Sequence, residues 1–204
     1  ESNLTDLSKA PISGTDSGTL ITISGNDQVR DINLRHLALG NGDVAISSTA
    51  DANIVMNDLV IINNNDAGVF LFGGDNTVTM EDVFINGNEG SAVICLGENN
   101  VVAIQGDSEI SDNESAGVGG GLAISGECKA NVYAPTVISN NTAATHGGGV
   151  YVEDGALVNL RGVEVSYNQA DANSDNDGEG GGLYVKDALS IVNATNVTFE
   201  GNSA

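Results

Sequence analysis

The chain repeats itself, and the way the repeat changes length limits its fold more than any other feature. Short apolar stretches recur at residues 20–23, 44–46, 69–72, 93–96, 122–124, 150–152 and 183–185. Their starts are 24, 25, 24, 29, 28 and 33 residues apart. Late in each unit an apolar residue is followed three positions on by asparagine. The pairs are Ile62/Asn65, Ile85/Asn88, Ile110/Asn113, Ile138/Asn141, Val165/Asn168 and Phe199/Asn202.

These two signals act as rulers. From strand start to asparagine, the last five units measure 19, 20, 19, 18 and 19 residues. From that asparagine to the next strand start the distances are 4, 5, 9, 9 and 15. One part of the unit has near-constant length, and one turn absorbs almost all the variation. That is how a solenoid with a rigid cross-section and one tolerant loop behaves.

Between the rulers lies a third β-like stretch, at residues 54–56, 78–80, 101–104, 131–133, 157–160 and 190–192. Three short strands per unit predict an all-β fold: a single right-handed parallel β-helix, a pectin-lyase-like solenoid of about seven coils. A left-handed coil of hexapeptides would keep a strict period of about 18 residues, and this chain does not. Residues 20–204 form the β-helix; residues 1–19 are expected to cap it or to donate a strand. The recurring asparagines Asn65, Asn88, Asn113, Asn141, Asn168 and Asn202 fit an inner corner. There a left-handed backbone is tolerated, and each amide can bond its equivalent one coil away, forming a ladder. Glycine triplets precede three strands, at residues 119–121, 147–149 and 180–182.

Those triplets carry a family resemblance. Gly-Gly-Gly-aliphatic, followed about 19 residues later by apolar-x-x-Asn, resembles the repeats of polymorphic outer membrane proteins. That family carries Gly-Gly-Ala-aliphatic and Phe-x-x-Asn motifs, the latter matched strictly by Phe199-Glu200-Gly201-Asn202. The likeness covers residues 62–204. It implies a right-handed β-helix passenger of an autotransporter and, loosely, adhesion.

Charge narrows the partners. Six Lys+Arg face 28 Asp+Glu, a formal net charge of −22, which repels nucleic acid and anionic lipid. No apolar run is long enough to span a membrane as a helix. The chain opens at Glu1, as expected of a mature or trimmed product. Sequons at Asn3, Asn113, Asn140, Asn193 and Asn196 are read as chance in so asparagine-rich a chain.

Parallel β-helices often host polysaccharide lyases and hydrolases, which set carboxylates beside a basic residue. Here Lys9, Arg30, Arg35, Lys129, Arg161 and Lys186 are scattered, and no two are equivalent in adjacent coils. His36 and His146 stand alone, and adjacent acids such as Glu81-Asp82 point to opposite faces of a strand. No catalytic residue is assigned.

Two places remain as candidate sites. In the longest variable turn, Asn173, Asp175, Asp177 and Gly178 match the start of a calcium loop. Asp171 is a further oxygen ligand, and Glu179 substitutes for the bidentate Glu that Tyr184 displaces. The second place is the outer face of the first strand stack, where Phe70, Phe72, Ile94, Leu96, Tyr151 and Tyr184 form one row if strand parity holds. An apolar stripe of that kind marks a binding surface, unless a loop covers it. Cys95 aligns with an inward position and Cys128 falls in a turn, so two free thiols are expected.

The leading functional expectation is a non-catalytic extracellular or cell-surface β-helix, an adhesin or stalk segment stiffened by Ca²⁺. Its partner is a protein or glycan on a cell surface. The alternatives are a fibre subunit stacking end to end with copies of itself, because no capping helix follows Asn202-Ser203-Ala204, and a polysaccharide-active enzyme.

Overall fold

The structure, a computed structural model, describes residues 12–13, 18–24, 30–173 and 177–204. Every strand pairing in it is parallel, and the strands stack into three long sheets. Sheet A holds eight strands, from Ile12–Ser13 through Ala38–Gly40, Val60–Ile62 and Phe84–Asn86 to Thr198–Glu200. Sheet B holds seven, among them Ile46–Ser48, Val69–Phe72, Val93–Leu96, Leu122–Ile124, Val150–Val152 and Leu183–Val185. Sheet C holds seven, from Arg30–Arg35 to Ile191–Thr195. The chain visits A, B and C in turn on each coil, which makes a parallel β-helix.

Alternation along each strand builds the core. Sheet A sends in Leu39, Ile61, Ile85, Ile110, Ile138 and Val165, all wholly buried. Sheet B sends in a row through Val69, Val93, Leu122 and Val150, and a second through Leu71, Cys95, Ile124 and Val152. Sheet C contributes Ile54, Val78, Val102, Ala130 and Val158, with Met56, Met80, Ile104, Val132 and Leu160 beside them. With aromatics at 4% of the chain, these rows are aliphatic and narrow.

The corner between sheets A and B carries an asparagine ladder. Asn64 Nδ2 donates to Asn88 Oδ1 at 2.7 Å, and the Asn64 backbone N–H donates to the same oxygen at 3.1 Å. The pattern continues through Asn113, Asn141 and Asn168 to Asn202, with side-chain bonds of 2.7–3.0 Å. The first member is Asn64, not Asn65. Residues 63–65 are all asparagine, so spacing from Ile62 gave the wrong one. Ile61 is the residue in register with Ile85, and three positions on from it is Asn64. Asn65 is exposed, and its side-chain amide donates to Asp43 Oδ1 at 3.4 Å instead of joining the ladder. The left-handed residue is also not the ladder asparagine but its predecessor: Asn63, Gly87, Asp112, Asn140, Tyr167 and Gly201 all have φ between 53° and 65°. Apolar-x-x-Asn therefore encodes an inward residue, an outward one, a left-handed hinge and a buried amide.

The corner between sheets B and C holds a second, shorter stack. Ser48 Oγ donates to Asn76 Oδ1 at 2.6 Å, and Asn76 Nδ2 donates to Asn100 Oδ1 at 2.9 Å. One coil further the equivalent residue is Cys128, and there the stack changes chemistry. Cys128 is disulfide-bonded to Cys95, with Cα atoms 6.2 Å apart. The expectation of free thiols fails because the turn after Ile124 brings the chain back inward. Cys128 stands at the inner corner, buried like Cys95, rather than in an outward turn.

Candidate binding surface

The outer face of sheet B has two halves. Strand register places Ser47, Phe70, Ile94, Ala123, Tyr151 and Tyr184 in one row, with Phe72 and Leu96 in a second. In the half nearer the N terminus, Phe72 is 55% exposed, and Phe70, Ile94 and Leu96 are half-buried. The Phe70 and Phe72 rings stack with centroids 6.2 Å apart.

In the other half Tyr151 is covered and Tyr184 is half-buried beneath a histidine. Tyr151 is only 2% exposed, so it is not part of an open binding surface as its parity suggested. His146 stacks on Tyr184 with centroids 4.5 Å apart, and Tyr184 stacks on Tyr151 at 5.8 Å. The Tyr151 hydroxyl donates to Glu153 Oε2 at 2.8 Å, and Lys186 Nζ bonds the same oxygen at 2.6 Å. Burial first, and then the Glu153 carboxylate, push the Tyr151 phenol up to about 12. The Glu153 bond raises Lys186 above its ordinary value, with the Tyr151 oxygen adding to it.

Loop length explains the difference. From ladder asparagine to the next sheet B strand the connections run 5 residues after Asn64 and Asn88, 9 after Asn113 and Asn141, and 15 after Asn168. The long connections fold back over the face and stack on one another. Glu114–Ser115 pairs with Thr142–Ala143 as a two-stranded fourth sheet, extended by bridges at Gln169 and Ser203. Gly119 N–H donates to the His146 carbonyl, and Gly147 N–H to that of Glu179. Sequence reading took this turn for a tolerant loop. Its regularity was visible only in the equal 9-residue lengths and the glycine triplets.

The triplets permit that packing. Gly147 has φ of +68°, and a Cβ on it would lie 2.8 Å from that of Tyr151. A Cβ on Gly148 would overlap the Gln169 backbone. Glycine therefore lets one loop lie against both its own strand and the next coil.

The acidic turn lies in the longest connection. Asp175 falls outside the described residues. Asp171 has φ of +55° and packs against Gly178, and Glu179 N–H donates to His146 Nδ1 at 3.1 Å. Among the described residues, no group of three or more His, Cys, Asp or Glu side chains converges as a metal site. Asn113 of the sequons is buried in the ladder, whereas Asn140, Asn193 and Asn196 are exposed.

The family model for a right-handed β-helix region matches residues 15–204. The chain belongs to the right-handed β-helix family. No curated protein and no solved structure matches it. The right-handed β-helix is a scaffold on which binding and catalysis both occur, so family membership supplies the architecture and leaves function to the site. Among the described residues of this β-helix, Arg35 and Arg161 fall in one row of sheet C but five coils apart, Lys129 lies in another row of that sheet, and Lys186 follows the last strand of sheet B, so no two of these four are equivalent in adjacent coils.

Proposed function

We propose that this β-helix is a non-catalytic extracellular or cell-surface protein, an adhesin or stalk segment that displays one decorated edge on a rigid rod. The observation that carries this reading is the confinement of length change to one turn, together with the ordering of that turn into a stacked ridge beside an aromatic face. A rod that varies on one edge suits presentation and recognition. The buried disulfide supports an oxidising compartment. The net charge of −22 supports a partner that is neutral or cationic. The likeness to polymorphic outer membrane protein repeats agrees with it.

Calcium belongs to the same reading. Asp171, Asn173, Asp175, Asp177 and Glu179 supply hard oxygen ligands in the longest connection, and Ca²⁺ would stiffen the displayed ridge. The melting temperature should then rise in millimolar Ca²⁺ and not in Mg²⁺; an unchanged value removes calcium from the proposal.

The main test is binding of the purified protein to arrayed glycans, extracellular proteins and whole cells. Saturable binding is expected. Release of reducing sugar from a polysaccharide panel would overturn the non-catalytic reading in favour of an enzyme. Long filaments in negative-stain micrographs would favour the fibre subunit.

A further inference from the structure

We infer that the open half of sheet B is a docking surface for a cationic, apolar-bearing polypeptide segment in extended conformation. This rests on the surface-recognition reading and names the partner chemistry for one face.

The patch is bounded and acid-flanked. Phe70, Phe72, Ile94 and Leu96 occupy two neighbouring coils. Along the row it ends at the small residues Ser47 and Ala123. The turns on either side carry exposed carboxylates: Asp66 and Glu89 before the strands, Asp75 and Glu98 after them. None of these four is in an ion pair among the described residues, where the pairs are His36 with Asp58 and Lys186 with Glu153.

Charge and spacing select the occupant. A second copy of this chain would bring its own −22 against the same carboxylates. A neutral sugar would meet the rings and leave the four acids without countercharge. A cationic segment answers both features. Its basic side chains reach the acidic turns while its apolar ones cover the rings. In an extended segment, side chains on one face repeat about every 6.8 Å, close to the 6.2 Å between the Phe70 and Phe72 centroids. Such anchors, rather than the surrounding charge, carry most of an interface's affinity.

The test uses a fluorescein-labelled peptide of alternating lysine and leucine, acetylated and amidated, followed by anisotropy. Oligolysine of equal length is the control. The alternating peptide should bind about tenfold or more tighter than oligolysine. The double variant Phe70→Ser/Phe72→Ser should erase that advantage while leaving the circular dichroism of the β-helix unchanged. The quadruple variant Asp66→Asn/Asp75→Asn/Glu89→Gln/Glu98→Gln should weaken the peptide by a similar factor and flatten its salt dependence. Equal affinity for the two peptides, or an advantage that survives Phe→Ser, would falsify the inference by making the binding bulk acidity. Self-association abolished by Phe→Ser would replace the cationic partner with a second copy. If glycans or cells bind while the peptide does not, the surface reading stands and this inference falls; if nothing binds, both fall.

Discussion

Phe72 and Tyr151 point outward from the same sheet, on strands related by the same register, and meet opposite surroundings. Phe72 stands largely in solvent, whereas Tyr151 is buried between the Tyr184 ring of the next strand and the loop at Gly147. The inner face does not distinguish them. Val69 and Leu71 beside the one, and Val150 and Val152 beside the other, are equally buried. What differs is the connection that precedes each strand. A 5-residue connection has only enough chain to turn the ladder corner. A 9- or 15-residue connection has chain to spare, and glycines let it lie flat on the strand it leads into. In this β-helix the core fixes the cross-section, and the length of one turn decides which outer residues remain available to a partner.

The largest effect that separates the halves is truncation of the two rings. Tyr151→Ala removes a buried ring and leaves a void between loop and sheet, so it should cost about 3 kcal/mol. Phe72→Ala should cost about 0.5 kcal/mol or less, because the ring is already mostly in water. Urea unfolding of the two variants measures both. Equal losses would mean that the loops do not cover Tyr151 in solution.

A smaller contrast lies in two glycines. Gly148→Ala drives a methyl into the Gln169 backbone of the next loop and should cost about 2 kcal/mol. Gly73 follows Phe72 with φ of +68° and open space around it, so Gly73→Ala meets only the left-handed penalty, about 1 kcal/mol. If Gly148→Ala proved as mild as Gly73→Ala, the loops would not be stacked as closely as the hydrogen bonds between them require.

The repeat, the three strands per coil and the inward rows were legible because each is written in sequence-local terms. Alternation gives the rows, and constant spacing gives the coil. The site was less legible, for reasons particular residues make clear. Spacing from Ile62 points to Asn65 because a run of three asparagines hides which one follows the left-handed hinge; the alignment of Ile61 with Ile85 identifies Asn64. The stack at Asn76 and Asn100 had a signal, an asparagine directly before two sheet C strands, but only two members before Cys128 ended it. The disulfide was missed because a four-residue offset in sequence says nothing about a turn that doubles back. Tyr151 was placed on the correct face and given the wrong exposure. Parity fixes direction, while cover comes from residues such as His146 and Gly147, whose own placement depends on the next coil.

The subtlest separation of the halves is in alkaline solution. Tyr151 has its folded value raised from 10.0 to about 12, chiefly by burial and then by Glu153. The fold therefore favours the neutral phenol. The stability this gives is present in full below pH 10 and is lost as pH rises through the folded value. Tyr151→Phe keeps the ring and removes the titrating group. At neutral pH it should cost about 1 kcal/mol, since one hydrogen bond goes and Lys186 still serves the Glu153 carboxylate. Between pH 10 and pH 12 its melting temperature should fall less steeply than that of the native chain. Parallel curves would mean that Tyr151 ionises as freely as a phenol in water. The covered half of the face would then be as open as the half that carries Phe70 and Phe72.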